Sequence, residues 1–324
     1  MPNPIRIVYF GTPAYAEPAL RALSGDTRFD VRLVVTQPDR PGGRGHRLVA
    51  PRVKEVAAAL GLPVFQPASL RAQVDRDHLA TFDADVFVVA AYGLIFGSKT
   101  LALPRGGCVN LHASILPAYR GAAPIPAAIL SGDAETGVTL MEMEAGLDTG
   151  PIVDIARTPI ASEDTTETLT ARLGRLGADL VVDALPRWHV GELTAMPQGE
   201  PASAVRMLAK ADGGIDWFRP AVDIKRHVRA MWPWPRAWTA LGGTVVQLHA
   251  ASVVEDAGLE PGLIGTVGRR VIVGTGDGTL ALGVVQLAGA KPIAAADAVR
   301  GGQLRAGGRF TSATPPELPL VRPA

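Results

Sequence analysis

Ile5-Arg6-Ile7-Val8-Tyr9-Phe10-Gly11-Thr12-Pro13 is a short run of β-forming apolar residues closed by a glycine and a proline. A run apolar at nearly every position fits a strand covered on both faces, and the Gly-Thr-Pro punctuation ends it in a turn. Helical spacing follows over residues 14–23. The alternation continues downstream. Residues 31–36, 63–65, 85–91 and 108–112 are further short apolar runs, with helix-like segments at 53–60, 69–81 and 125–131 among them. Gly61 closes the second helix as a natural C-cap. Residues 136–143 and 152–160 add strands, and 163–190 reads as a long helix. Strands alternating with helices predict an α/β fold with a doubly wound, mostly parallel sheet.

The chain has 324 residues, about twice a typical domain of ~150 residues, so two domains are expected. Hydrophobic residues make up 47% and charged residues 19%, enough apolar material for a substantial core and too little charge for disorder. From about Ala204 the texture changes. Residues 245–252, 263–267, 271–274 and 279–287 read as short strands separated by glycines, with little helix, which predicts a small β-barrel or sandwich. The predicted division is 1–196, a linker at 197–204, and 205–324, ending in a loose tail that carries Pro315, Pro316, Pro319 and Pro323. Residues 205–324 hold 14 Lys and Arg against nine Asp and Glu, a net +5, while the rest is at −4. That asymmetry fits a polyanion on the C-terminal side, and it also fits an ordinary solvated surface.

A single cysteine, Cys108, excludes an intrachain disulfide and a cysteine-based zinc site, and the six histidines show no metal-ligand spacing. No metal is expected. The N-terminus lacks the long apolar core of a signal peptide, and no apolar stretch approaches spanning length. The expectation is a soluble, cytoplasmic protein with no membrane partner. The turn after the first strand, Gly11-Thr12-Pro13-Ala14-Tyr15-Ala16, lacks the Gly-x-Gly-x-x-Gly that admits a pyrophosphate. A dinucleotide cofactor is therefore disfavoured.

The stretch with chemical content is Asn110-Leu111-His112-Ala113-Ser114-Ile115-Leu116-Pro117-Ala118-Tyr119-Arg120-Gly121. Residues two apart on a strand share a face, so Asn110 and His112 project together at a carboxyl strand end, where open α/β sheets place ligands. An amide beside an imidazole can hold a carbonyl oxygen and stabilise the anion that develops on it. The same pair also fits two satisfied structural side chains. Downstream, Glu144-Ala145-Gly146-Leu147-Asp148-Thr149-Gly150 sets an acid in a glycine-flanked loop. If the preceding strand runs parallel to its neighbours, Asp148 reaches the same edge and can orient the imidazole. Asp148 serves equally well as a turn former.

The run 110–121 with Ala122-Ala123-Pro124-Ile125, the stretch Gly137-Val138-Thr139-Leu140-Met141 and the loop Gly146-Leu147-Asp148-Thr149-Gly150 closely resemble the signature of folate-dependent formyltransferases. The likeness extends over roughly residues 5–310. It includes Phe10-Gly11-Thr12-Pro13, the loop Gln37-Pro38-Asp39-Arg40-Pro41-Gly42-Gly43-Arg44-Gly45, Pro63-Val64-Phe65-Gln66-Pro67 and the C-terminal part. The resemblance implies a formyltransferase-like fold with an OB-like C-terminal barrel. It implies 10-formyltetrahydrofolate as co-substrate and the amine of initiator methionyl-tRNA as acceptor. By the same resemblance Asn110, His112 and Asp148 match the catalytic trio, Ser114, Ile115, Leu116 and Pro117 a folate-contacting run, and Tyr92, Gly93 and Leu94 part of the pterin pocket. Arg44 matches an arginine of a mobile loop that meets the tRNA acceptor end. Lys225, Arg226 and Arg229, with Arg236 near Trp232, Trp234 and Trp238, are the candidate tRNA contacts of the C-terminal part. The bland account of these tryptophans is that at least two fill a core. An amino sugar or glycinamide ribonucleotide is the rival acceptor, and a non-catalytic RNA-binding protein is the rival of another class.

Overall fold

Every residue of β1 (Ile5–Gly11) except Arg6 is buried, as its unbroken apolar pattern requires. The computed structural model describes residues 3–42, 47–313 and 320–323. A 3₁₀ turn at Ala14–Ala16 leads into α1 (Glu17–Gly25), β2 (Phe29–Val35) and a small hairpin of β3 (Arg40–Gly42) and β4 (Arg47–Val49). Then come α2 (Arg52–Ala59), β5 (Val64–Phe65), α3 (Gln73–Ala80), β6 (Val86–Ala90), α4 (Ser98–Leu101) and β7 (Cys108–His112). They are followed by β8 (Arg120–Gly121), α5 (Pro124–Ser131), β9 (Glu135–Glu142), β10 (Ile152–Pro159) and α6 (Thr166–His189). Seven strands form the central sheet in the order β10-β9-β7-β6-β1-β2-β5, with β7, β6, β1, β2 and β5 parallel.

Alternate residues of each strand feed two cores. Ile7, Tyr9, Val86, Val88, Val109 and Leu111 meet α1 and α6 on one face, whereas Val8, Phe10, Phe87 and Val89 meet Leu79, Tyr92 and Phe96 on the other. The sheet is therefore doubly wound, as expected. Cys108 lies in the second core, where burial pushes its thiol up to about 12, so it stays a neutral apolar filler. Helix α6 starts on a capping box between Thr165 and Thr168. It presses close to the turn before α1 because Gly174 has no Cβ; one there would stand 3.0 Å from the Tyr15 carbonyl oxygen.

The segment after α6 enters β11 (Ser203–Val205), then α7 (Ala221–Ala230), β12 (Ala237–Leu241), β13 (Thr244–Leu248) and β14 (Ala251–Val254). It continues through β15 (Ile264–Val267), β16 (Arg270–Gly274), β17 (Thr279–Leu282), β18 (Val284–Leu287) and β19 (Ile293–Ala294) to α8 (Ala295–Arg300), β20 (Phe310–Thr311) and β21 (Val321–Pro323). Two antiparallel sheets result, β19-β18-β13-β12-β20 and β14-β17-β16-β15. The runs expected as single strands at 245–252 and 279–287 each bend and change sheets. The bends face one another: His249 N donates to Val284 O at 2.9 Å and Gly283 N to Ala250 O at 2.9 Å. That is how a small antiparallel fold turns a corner.

Two sequence expectations need correcting here. Helix α7 lies in the region read as nearly helix-free, and its buried Ala221, Ile224 and Val228 recur at helical spacing. The end of the expected tail is a strand. β21 pairs with β11, which pairs in turn with β8, so the C-terminus is stitched to the first part of the chain. Pro315, Pro316 and Pro319 lie outside the described residues.

Arg6 ties the start of β1 to the residue before β6. Its Nη2 stands 2.5 Å from Asp85 Oδ1 and its Nε 3.0 Å from Oδ2, and it also contacts Asp83. Those bonds hold the Asp85 carboxyl at about 2, below its ordinary 3.8. A folded-state value below the unfolded one stabilises the fold above the unfolded pKa, and the contribution disappears as pH falls through the folded value. Stability should therefore drop between about pH 4 and pH 2, and the drop should be shallower in Asp85→Asn. Urea midpoints across that range test this; parallel wild-type and variant curves would refute the assignment.

Candidate active site

Asn110 and His112 are alternate residues of β7 and share a face, while Val109 and Leu111 enter the core beneath. The strand before Asp148 does not run parallel to its neighbour, so the carboxylate reaches them by another route. β9 runs antiparallel to β7, so its last residue, Glu142, pairs with Val109 at the entry end of β7. The loop then folds back, with Asp148 itself in the left-handed region at φ 54°. The carboxylate still arrives at the predicted partners. Oδ1 accepts from Asn110 Nδ2 at 3.3 Å, Oδ2 accepts from Gly121 N at 2.8 Å, and His112 Nδ1 is 3.6 Å from Oδ2. His112 is only 6% exposed, so this is a largely desolvated cluster.

The other ring nitrogen of His112 is taken by the main chain. Nε2 lies 2.9 Å from the carbonyl oxygen of Tyr119. A carbonyl can only accept, so Nε2 carries the hydrogen and Nδ1 faces the carboxylate. Tyr119 is itself held from two sides. Its N donates to Ser203 Oγ at 2.9 Å and its hydroxyl to Asp133 Oδ2 at 2.7 Å, which keeps its backbone at φ 61°. Burial, the largest influence, and the Asp133 contact leave that hydroxyl at about 12, so it remains a donor. Non-glycine residues rarely adopt positive φ, and three that do (Ala91, Tyr119 and Asp148) lie in the loops around this site. The carbonyl of Tyr119, the amide of Gly121 and the Ser203 hydroxyl were not legible as site groups, because main-chain contacts leave no sequence pattern.

The run after β7 is a tight, internally bonded turn. Ser114 is fully buried, with its hydroxyl on the Ala118 carbonyl at 2.5 Å, and Leu116 is buried with its N donating to Thr139 Oγ1 at 3.1 Å. Ile115 and Pro117 keep exposed surface. One strand over, at the carboxyl end of β6, Tyr92 is buried among Phe10 and Phe96, and its carbonyl accepts from Thr12 Oγ1 at 3.0 Å and Gln37 Nε2 at 2.9 Å. Gly93 has φ 84°, and a Cβ there would meet Gln37 Nε2 at 2.5 Å. Gly93 is exposed and Leu94 partly so. β6 and β7 pair in parallel with Val89 opposite Asn110, so this loop and the trio share one sheet edge.

Residues 5–185 match the family described as formyl transferase, and residues 207–303 match the formyl transferase C-terminal domain. The chain belongs to the formyl transferase family. The methionyl-tRNA formyltransferase of Stutzerimonas stutzeri is 46% identical over 299 residues, covering 92% of this chain and 95% of its own. That of Sorangium cellulosum is 46% identical over 308 residues, covering 94% and 98%. The N-formyltransferase from Helicobacter canadensis, solved with folinic acid and dTDP-3-aminofucose, superposes with a TM-score of 0.65 at 17% identity over 89% of this chain and 100% of that one. HypX from Aquifex aeolicus, in complex with tetrahydrofolic acid, gives 0.60 at 16% over 91% of this chain and 47% of its own. At such identities these two establish a shared fold.

Against this family background, the expected tRNA contacts fall in two places. Arg44 lies outside the described residues. The base of the β3–β4 hairpin is fixed by Asp39, which accepts from Lys54 Nζ at 2.7 Å and Gln66 Nε2 at 2.8 Å; the Lys54 bond holds that carboxyl below its usual range. Lys225, Arg226 and Arg229 stand on α7, which packs against α5. Lys225 Nζ pairs with Glu163 at 2.6 Å, Arg226 Nη1 with Asp223 at 3.2 Å, and Arg229 Nη1 donates to the Asp164 carbonyl at 2.7 Å. Asp164 in turn takes two bonds from Arg172, at 2.6 and 3.0 Å. These cations line the seam between the two parts of the chain. The tryptophans also differ from expectation. Trp217 fills the C-terminal core, stacked on Phe310 at 5.4 Å, whereas Trp232 and Trp238 are partly exposed and Trp234 is 54% exposed.

Arg229→Ala should thus cost about 1.5–3 kcal/mol of stability, the range for a hydrogen bond to a charged group. Lys225→Ala, which breaks a pair with a largely exposed glutamate, should cost less than about 1 kcal/mol. Denaturant titration of both variants distinguishes them; equal losses would show that Arg229 does not anchor the seam.

Proposed function

We propose that this chain transfers the formyl group of 10-formyltetrahydrofolate to the free amino group of methionine on initiator methionyl-tRNA, giving formylmethionyl-tRNA. The observation that carries the reading is the convergence of Asn110, His112 and Asp148 on one carboxyl sheet edge. Asn110, His112 and Asp148 are the proposed catalytic residues. The exposed backbone of the Gly93 loop suits a flat heterocycle, and Ile115 and Pro117 offer it apolar surface. Acting on charged tRNA, the enzyme works where translation starts, in the cytoplasm.

The chemistry follows from the geometry. A free α-amine has a pKa of ~8, so roughly a tenth of it is already unprotonated and nucleophilic at about pH 7, and no strong base is needed. The amine attacks the formyl carbon, and its oxygen becomes an oxyanion. Asn110 gives one amide hydrogen to Asp148 and has a second for that oxygen. His112 already donates from Nε2 to Tyr119, so donation to the oxyanion comes from Nδ1. A histidine protonated on both nitrogens is an imidazolium, and the Asp148 carboxylate 3.6 Å away balances its charge. As the tetrahedral species collapses, the folate nitrogen leaves with the bonding electron pair. It takes up a proton lost by the attacking amine, passed through water beside Asp148.

Formylation assays with charged initiator tRNA, run beside an amino sugar nucleotide, test the acceptor; preferential transfer to the sugar would replace the tRNA reading. His112→Ala should lower kcat by ~10²–10³, the usual loss for one oxyanion donor. Near-normal turnover by that variant, once shown to be folded, would remove His112 from the mechanism.

Arg44 is the proposed contact to the acceptor end, and Lys225 and Arg226, at the solvent border of α7, are further candidates. Arg229 is committed to a main-chain carbonyl. Arg44→Ala should therefore reduce kcat/KM for methionyl-tRNA while folate affinity by calorimetry stays unchanged. If kcat/KM for tRNA holds at the wild-type value, the loop is an ordinary solvated hairpin.

A further inference from the structure

The segment joining the two parts of the chain runs across the catalytic loops and is bonded to them at both ends. Met196 exchanges main-chain bonds with Ile152 at 2.7 and 2.8 Å, and Ser203 N donates to Pro117 O at 3.2 Å. Between these anchors stands Gln198. Its Nε2 lies 2.8 Å from the Asp148 carbonyl oxygen and 2.8 Å from that of Gly150, while Oε1 accepts from Arg120 Nε at 3.0 Å. Two carbonyls can only accept and a guanidinium can only donate, so no other placement of the amide's nitrogen and oxygen satisfies the three contacts. Both amide hydrogens are spent on the loop that carries Asp148.

These bonds close a ring. Gln198 links the main chain of Asp148 to Arg120, and the next residue, Gly121, donates its N–H back to Asp148 Oδ2 at 2.8 Å. Asp148 sits at φ 54°, a conformation that side chains other than glycine adopt only when their surroundings hold them there. The loop has no strand partner at this point, since β9 ends at Glu142 and β10 begins at Ile152.

We propose that Gln198 is a positioning residue for formyl transfer: by holding the carbonyls of Asp148 and Gly150 it fixes the Asp148 carboxylate against Asn110 and His112. This rests on the reading of those three residues as catalytic. Gln198 touches no reacting atom, and its effect reaches the reaction through Asp148.

The test is single-turnover and steady-state formylation by the full chain for wild type, Gln198→Ala, Gln198→Glu, Asp148→Asn and the Gln198→Ala/Asp148→Asn double variant. Displacing a catalytic group by about 1 Å can cost ~10²-fold. Gln198→Ala should lower kcat ~10–100-fold with KM for folate and for tRNA within about threefold. Gln198→Glu keeps an acceptor for Arg120 but turns oxygen toward two carbonyls, so it should lose at least as much. Because it keeps the length of the side chain, it reports on the site even if the alanine variant proves unstable. In the Asp148→Asn background, Gln198→Ala should cost less than about threefold, since its target no longer acts. A kcat within about twofold of wild type in both Gln198 variants, or a full multiplicative loss on top of Asp148→Asn, overturns the proposal. Normal turnover by Asp148→Asn alone would instead remove the catalytic reading itself, and the positioning role with it.

Discussion

The hydrogen bond from the Gly121 main chain to the Asp148 carboxylate, at 2.8 Å, is the constraint on which the site depends. It joins the turn after β7 to the loop after β9, two segments with no sheet pairing between them at that point. Gly121 makes this possible in two ways. Its φ of 107° lies where a side chain is strained, and a Cβ there would stand 2.4 Å from the Val205 carbonyl oxygen. The missing side chain thus lets β11 lie against β8 while the same residue's N–H points at Asp148. One glycine couples the Asp148 loop to the strand through which the chain enters its C-terminal part.

That coupling bears on how the two parts of the chain behave together. A single apolar cluster runs through both, including Ile125 and Ile129 of α5 with Ile224 and Val228 of α7. The three-stranded sheet β21-β11-β8 adds main-chain bonds across the same seam, and Arg229 caps it with a bond to the carbonyl of Asp164, just before α6. A continuous set of contacts leads inward from it: the Ser203 hydroxyl on Tyr119 N, the Tyr119 carbonyl on His112 Nε2. The C-terminal part and the chemical site therefore share supporting structure, which a module on a loose tether would not.

How much of this was legible in the sequence divides along a physical line. Strands β1 and β6 were readable because a strand covered on both faces must be apolar at almost every position, and β2 and β7 through shorter apolar stretches of the same kind. The direction of β9 was not, since a buried strand reads the same either way up; the sequence left it open, and the strand runs antiparallel to β7. Helix α7 was legible in principle from Ala221, Ile224 and Val228, but the glycine-rich β texture around it masked the period. Asn110, His112 and Asp148 stood out through their side-chain chemistry together with family likeness, and the structure does bring them together. Gln198, Ser203 and the Tyr119 carbonyl did not. A glutamine between Pro197 and Gly199 looks like linker, and its partners lie 48–78 residues away in the chain.

The hidden groups also explain why the visible ones suffice. Formyl transfer needs donors aimed where negative charge develops, and such donors help most when they do not have to reorganise during the reaction. His112 cannot turn over, because Nε2 is held by a carbonyl whose own residue is pinned at its nitrogen and its hydroxyl. Asn110 is fixed by the carboxylate, and the carboxylate by Gly121. Positive-φ residues in two of these loops are the conformational cost, met by the seam and by the two cores under the sheet. The Tyr119 carbonyl and the Gly121 amide hold the site groups directly, and the Ser203, Asp133 and Gln198 side chains hold those main-chain segments from behind. A site built this way can keep its chemistry while the loops at its mouth vary to suit a different amine.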